Sequence, residues 1–232
     1  MPTHPAAPAS LPDLVAAYRQ TAEAVVELGR SCTAADFARP TECPGWTVQD
    51  QISHVASLES MFAGEPPLTV DLPELAHVRS DFGRFMELGV HARRSHSGAE
   101  VVEELARVLP SRVAALSNPE LTLESVIESP IGPRPAGGFV ALRTRDIWCH
   151  EQDLRVALGR PLSLDAPGCS VFADGVLGAV PVLLARDVKA PVGTTVVVEM
   201  TAGAAGEVTG SIGARVDEGE GGKPRGVAVD PA

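Results

Sequence analysis

Asp146 and His150 stand at i and i+4 in the run Phe-Val-Ala-Leu-Arg-Thr-Arg-Asp-Ile-Trp-Cys-His-Glu-Gln-Asp-Leu-Arg-Val-Ala-Leu-Gly-Arg, residues 139–160. On a helix both side chains project from one face. A carboxylate oxygen and an imidazole nitrogen presented together are two ligands of a metal site that takes a third from elsewhere. The same pair is otherwise an ordinary helical ion pair. The spacing recurs at Asp50/His54 and His77/Asp81, and residue types alone do not rank the three. Asp153, three residues beyond His150, is a candidate to orient a ligand or a plain solvated carboxylate. Arg143, Arg145 and Arg155 are candidates to clamp a substrate carboxylate, or surface ion-pair partners. Cys32, Cys43, Cys149 and Cys169 lack C-x-x-C spacing and read as small apolar residues. Cys149 adjoins His150, but neighbouring helix positions diverge by about 100°, which turns it away.

The elements that must carry these residues are legible in the hydrophobic periodicity. Phe139, Leu142, Ile147, Leu154 and Leu158 recur at helical spacing, with Gly159 and Pro161 as a stop. Earlier, Pro44-Gly45 makes a turn, and Thr47 with Asp50 forms a capping box opening a helix that runs to about Phe62. Ser10 and Asp13 cap a first helix with Leu14, Tyr18, Ala22, Val25 and Leu28 along one stripe, stopped at Gly29. A helical turn spans Thr33 to Phe37. A third long helix is expected from near Pro73 through Val90, and a fourth from Ser97 to Leu116. Residues 1–9 read as a loose tail, and Gly64 to Pro73 and Ser117 to Gly138 as Pro-rich loops, the second long enough to cover something. The first 160 residues thus supply a helical bundle able to hold a site between facing helices.

Two motifs resemble a known family. Cys43-Pro-Gly-Trp-Thr-Val-x-Asp-x-x-x-His54 and Arg143-x-Arg-Asp-x-Trp-x-His-Glu-Gln-Asp-Leu-Arg-x-Ala-Leu-Gly-Arg-Pro161 resemble, in this order, the metal-binding helices of the mycothiol-dependent maleylpyruvate isomerase family, a DinB-like group. The likeness covers residues 10–160. It implies a DinB-like four-helix bundle at 1–160, with a metal held by His54, Asp146 and His150; that N/N/O donor set suits a divalent ion, zinc above all, and nickel or other ions also fit it. The family's carboxylate is commonly Glu, so Asp146 reaches one carbon less far. The resemblance also implies mycothiol as thiol co-substrate, an electrophilic small molecule as acceptor, and an isomerase or S-transferase reaction. In the isomerase case the thiolate adds to a cis double bond, rotation follows, and elimination gives the trans product. A metal-dependent hydrolase, or a non-catalytic metal- or ligand-binding module, would use the same site.

Beyond Pro161 the character changes. Cys169 to Ala185 reads as a helix weakened by Gly175, Gly178 and Pro181, and Thr194–Met200, Gly206–Ile212 and Gly226–Val229 read as strands. Asp217 to Gly222 reads as a flexible acidic turn. The resemblance implies a small α+β domain at 161–232, shorter than its relatives carry.

Composition bounds the partners. A hydrophobic fraction of 44% and a charged fraction of 21% are those of a globular protein, and a net charge of −11 opposes binding to nucleic acid or an anionic membrane. No signal pattern is found, and no stretch is expected to be long enough to span a bilayer, so a cytoplasmic location is expected.

Overall fold

A computed structural model describes residues 7–66, 68–129, 132–202 and 207–231. Six of the residues expected to form a loose tail, 1–6, and Gly206 at the start of one expected strand lie outside them. The chain divides into two compact units, Ala9–Ser163 and Leu164–Ala232. The first runs three residues past Arg160 because Ser163 is tied back to the preceding helix. Its N–H and hydroxyl bond the side chains of Gln152 and Glu151 at 2.9 Å.

Helix α1, Leu11–Arg30, starts at the Ser10 cap and buries Leu14, Tyr18, Ala22 and Val25. It ends at Arg30, one residue past the expected stop at Gly29, and at Gly29 it packs so closely that a side chain would strike Val102. The short helix α2, Ala34–Phe37, follows a Thr33 capping box. Helix α3, Val48–Phe62, opens on the Thr47/Asp50 box. Helix α4 is Asp81–His91, shorter than the expected span from Pro73. Ser80 caps it, and its hydroxyl accepts from the Gly83 N–H, so the apolar residues before it form a non-helical approach. Helix α5, Gly98–Leu116, starts at the Ser97/Glu100 box and carries Pro110 inside it. Where a loop was expected, strands β1 (Val126–Ile127) and β2 (Arg134–Pro135) pair antiparallel. Helix α6, Ala136–Ala157, begins directly after them and ends before Gly159, whose φ is +65°.

The four longest helices of this unit form a ring. Helix α1 packs on α5 and α6, and α3 closes the ring against the same two, with α4 laid on α3. Phe139, Val140, Ile147 and Leu154 of α6 are each at most 1% exposed, and each large apolar side chain so buried contributes roughly 1.5–3 kcal/mol. This is a four-helix bundle, as expected for residues 1–160, and its closure sets α3 beside α6.

In the second unit, helix α7 (Pro167–Arg186) precedes an antiparallel meander of β3 (Thr195–Ala202), β4 (Glu207–Glu218) and β5 (Pro224–Val229), in the order β3-β4-β5. Alternation along β4 buries Ala214 and Val216 against Leu184 and Ala190. The acidic segment is more ordered than a flexible turn: Asp217 sits in β4 opposite Arg225, and a 3-10 turn spans Glu220–Gly222. Contrary to the reading of no membrane span, α7 is long and apolar enough to cross a bilayer, at mean hydropathy 1.8 over its central window. Here one face of it packs on β4 and β5, while Val176, Val182 and Leu183 stay exposed.

Candidate metal centre

The Pro-Gly turn is a built feature. Gly45 has φ +81°, and the His77 ring lies where its Cβ would be, so only glycine fits on both counts. The turn is closed by the Trp46 N–H donating to Cys43 O at 3.1 Å and Thr41 N–H donating to Trp46 O at 3.0 Å. Helix α3 then starts at Val48, and His54 falls on the face toward α6.

There the two motifs meet. One ligand atom each from His54, Asp146 and His150 lies within 4.8 Å of the other two. His54 Nε2 is 3.4 Å from Asp146 Oδ2, and His150 Nε2 is 3.8 Å from Asp146 Oδ1. Donors at about 2.0–2.1 Å from a tetrahedral zinc lie roughly 3.3–3.4 Å apart, so this spread is near what a cation needs. Asp146 also meets the pair despite its short side chain. The second test is polar satisfaction. His54 is 5% exposed; among the described residues Nδ1 has no hydrogen-bond partner, and Nε2 has only the long 3.4 Å contact with Asp146. An unpaired buried nitrogen costs about 1–3 kcal/mol, and a cation at Nε2 would remove one such cost. The residues therefore fit a divalent metal. The Asp146 side chain keeps 34% of its surface exposed, which leaves an approach from solvent.

Charge and burial keep Asp146 and His150 in their ligating forms. Burial, then the neighbouring His54, pushes the His150 pKa down to about 3, so its imidazole is neutral at neutral pH. Burial opposes ionisation of Asp146, but the His54 imidazole and the Arg143 guanidinium outweigh it and hold the carboxyl well below the usual range. Cys149, by contrast, is pushed up to about 11 by burial and then by Asp146. Its thiol stays protonated.

Arg143 is not free to clamp a substrate. It is 3% exposed, its Nη1 donates to Asp146 Oδ2 at 2.7 Å, and Nε and Nη2 donate to Glu59 Oε1 at 3.0 and 2.8 Å. Glu59 Oε2 accepts from Tyr18 at 2.5 Å and from Arg112 at 3.1 Å. Arg155 is likewise engaged, with Glu151 at 2.7 Å. Asp153 approaches the centre indirectly, through Gln51, which meets His150. On the other side Trp46 lies 5.2 Å from His54 and 6.0 Å from His150, centroid to centroid. Its indole donates to Glu87 at 2.7 Å.

The other two i, i+4 pairs have different duties. His77 precedes α4 and contacts Glu87 at 3.1 Å, while Asp81 begins the helix, so the two do not share a helical face. Asp50 caps α3 and accepts from Arg94 at 2.9 Å. Sequence reasoning passed over Gln51, Glu59 and Glu87. The first two did leave a signal: with Val55 they occupy i, i+4 and i+8 on the buried face of α3, where polar residues need partners.

Residues 18–155 match the model of the mycothiol maleylpyruvate isomerase N-terminal domain family. Two uncharacterized proteins of Mycobacterium tuberculosis, from strains CDC 1551 / Oshkosh and ATCC 25618 / H37Rv, are each 26% identical over 153 residues, 66% of this chain and 71% of theirs. Among solved structures, the mycothiol-dependent maleylpyruvate isomerase is similar in fold, with TM-score 0.54 and 18% identity over 80% of this chain and 75% of that one. A histidine-to-alanine mutant of that isomerase is similar at TM-score 0.54 and 17% identity, with the same coverage.

Proposed function

The chain belongs to the mycothiol maleylpyruvate isomerase N-terminal domain family, and on that premise we propose a metal-dependent enzyme that uses mycothiol as nucleophile or co-substrate. His54, Asp146 and His150 hold the metal, zinc by its fit to an N/N/O donor set. The observation that carries this reading is the convergence of those three side chains, with the buried His54 imidazole paired with nothing outside the cluster. A bound divalent cation supplies Lewis acidity that favours the deprotonated form of a thiol at neutral pH. The chain's own residues do the rest. Asp146 brings negative charge, Arg143 and Glu59 hold its carboxylate in place, and the Trp46 ring walls one side.

The acceptor is an electrophilic small molecule, as maleylpyruvate isomerisation or thiol S-transfer requires. His54 also borders a cavity of about 100 Å3 with Met61, Phe85, Met86 and Leu88. Among its described lining residues the one permanent cation, Arg93, is engaged by Glu104 at 2.5 and 2.9 Å. We assign this cavity to an apolar part of the acceptor.

Calorimetry of mycothiol binding to the metal-loaded protein tests the reading. In two buffers of different ionisation enthalpy, at about pH 6, binding should release a proton, because a thiol is largely protonated when free. The visible spectrum of the cobalt-substituted protein should change on adding thiol, and acceptor should be consumed only with metal and thiol together. Heat independent of buffer and an unchanged spectrum would overturn it.

A further inference from the structure

We propose that Gln51 is the positioning residue of His150: anchored by Asp153 and Thr41, its amide oxygen fixes the proton on His150 Nδ1 and leaves Nε2 as the lone-pair nitrogen facing Asp146. The metal part of this inference rests on the proposed function; the tautomer part stands on the geometry alone.

Gln51 is fully buried on α3, three residues before His54. Its amide has one NH2 and one oxygen, and the neighbours decide which faces which. Nε2 donates to Asp153 Oδ2 and to Thr41 Oγ1, both at 3.0 Å. An ionised carboxylate accepts only, so the nitrogen must face Asp153. Thr41 adds a constraint, since its hydroxyl donates to Trp46 O at 3.0 Å and is left as an acceptor toward Gln51. The oxygen, Oε1, is therefore turned to His150 Nδ1, which it contacts closely. Because Oε1 cannot donate, Nδ1 must carry the hydrogen. In a neutral imidazole the lone pair then lies on Nε2, the nitrogen 3.8 Å from Asp146 Oδ1. An amide flip would cost both bonds to Gln51 Nε2 and set two acceptors against the oxygen. This arrangement does the work usually done by a carboxylate or backbone carbonyl behind a metal-binding histidine. It also gives Asp153 a function at a distance, as the group that holds the amide the right way round.

Nitrogen-15 NMR of the histidine rings in the metal-free protein tests the tautomer directly. His150, assigned by its loss in His150→Asn, should be protonated at Nδ1 in the parent. Gln51→Leu should move it toward the Nε2–H form that free imidazole side chains prefer. An Nε2–H tautomer in the parent, or an unchanged tautomer in a folded Gln51→Leu, would overturn the proposal. Metal affinity is the second readout. Gln51→Leu should weaken cobalt or zinc binding by about 10–100-fold. The paired change Gln51→Glu with Asp153→Asn, which restores an acceptor toward Nδ1 and a donor behind it, should recover most of that loss. Absence of metal binding in the parent would sink the functional reading while the NMR result still decided this one. Should Gln51→Leu fail to fold, the paired variant alone decides: Nδ1–H is required in it, and Nε2–H refutes the mechanism.

Discussion

Replacing Glu59 by Gln should be the most destabilising single isosteric change in the helical unit. Glu59 is 0% exposed and accepts four hydrogen bonds: two from Arg143, one from Arg112 and one from Tyr18. Its carboxylate is the anion facing both guanidiniums, whose side chains are 4% and 7% exposed. The amide keeps one oxygen acceptor and turns its NH2 toward guanidinium donors, which cannot accept from it. Asp146 still faces Arg143, but Arg112 loses its carboxylate and keeps Phe62 O at 3.2 Å. Removing one partner of a buried pair costs about 3–5 kcal/mol, chiefly through the charge left uncompensated. At roughly 2–4 °C per kcal/mol for a chain of this size, Tm should fall by about 6–20 °C. Far-UV dichroism through a thermal scan, with urea denaturation alongside, measures this. Two companions sharpen the result. Glu103→Gln, which breaks the surface pair with Arg30 at 2.8 Å, should leave Tm where it is. Adding Arg112→Met to Glu59→Gln should recover part of the loss, because it removes the uncompensated cation. A Glu59→Gln cost below about 1 kcal/mol, or further loss in the double variant, would refute the charge-compensation argument.

His54→Ala should abolish tight binding of one divalent ion per chain while helical dichroism persists. Asp146→Asn should weaken metal binding, Asp146→Glu should retain it, and Asp81→Asn should leave it unchanged; equilibrium dialysis distinguishes all four. Tryptophan fluorescence should be quenched by cobalt, since the Trp46 ring lies 5.2 Å from His54, and the quenched amplitude should fall in Trp46→Phe to what Trp148 contributes. The metal-free protein should lose stability as pH falls from 6.5 toward 3. In that window the unfolded chain protonates His150, ordinarily at 6.5, while the folded state resists until about 3. Asp146, held below its ordinary range, adds a loss of the same sign at the acid end. His150→Asn should flatten the slope by about one proton, and denaturant titrations across that range would show whether it does.

Local chemistry made much of the fold legible. Ser10, Thr33, Thr47 and Ser97 start helices in the structure because each offers its hydroxyl to a backbone N–H three residues on. The 3.6-residue stripe of α1 and the stop at Gly159 are also properties of a few neighbouring residues. Where the reading went astray, a non-local contact decided. The apolar run from Leu75 to Val78 looked helical, yet His77 is taken by Glu87 and Gly45 before the helix begins. Helix α7 runs unbroken through Gly175, Gly178 and Pro181, which read as weakening it, because it packs on β4 and β5.

The site divides the same way. Spacing on one helix places Asp146 and His150 on a common face, and the motif containing His54 is readable for what it resembles. Residue types did not choose among the three i, i+4 pairs, because a pair on one helix carries no information about what faces it. Bundle closure supplied that. It set α3 against α6, put Gln51 behind His150, and sank Glu59 between Arg112 and Arg143. Arg143 is the sharpest case. In the sequence it is one of three arginines near Asp146, open to a clamping role. Burial takes its guanidinium out of water, and a buried charge must be neutralised where it sits. Glu59, 84 residues earlier in the chain, neutralises it.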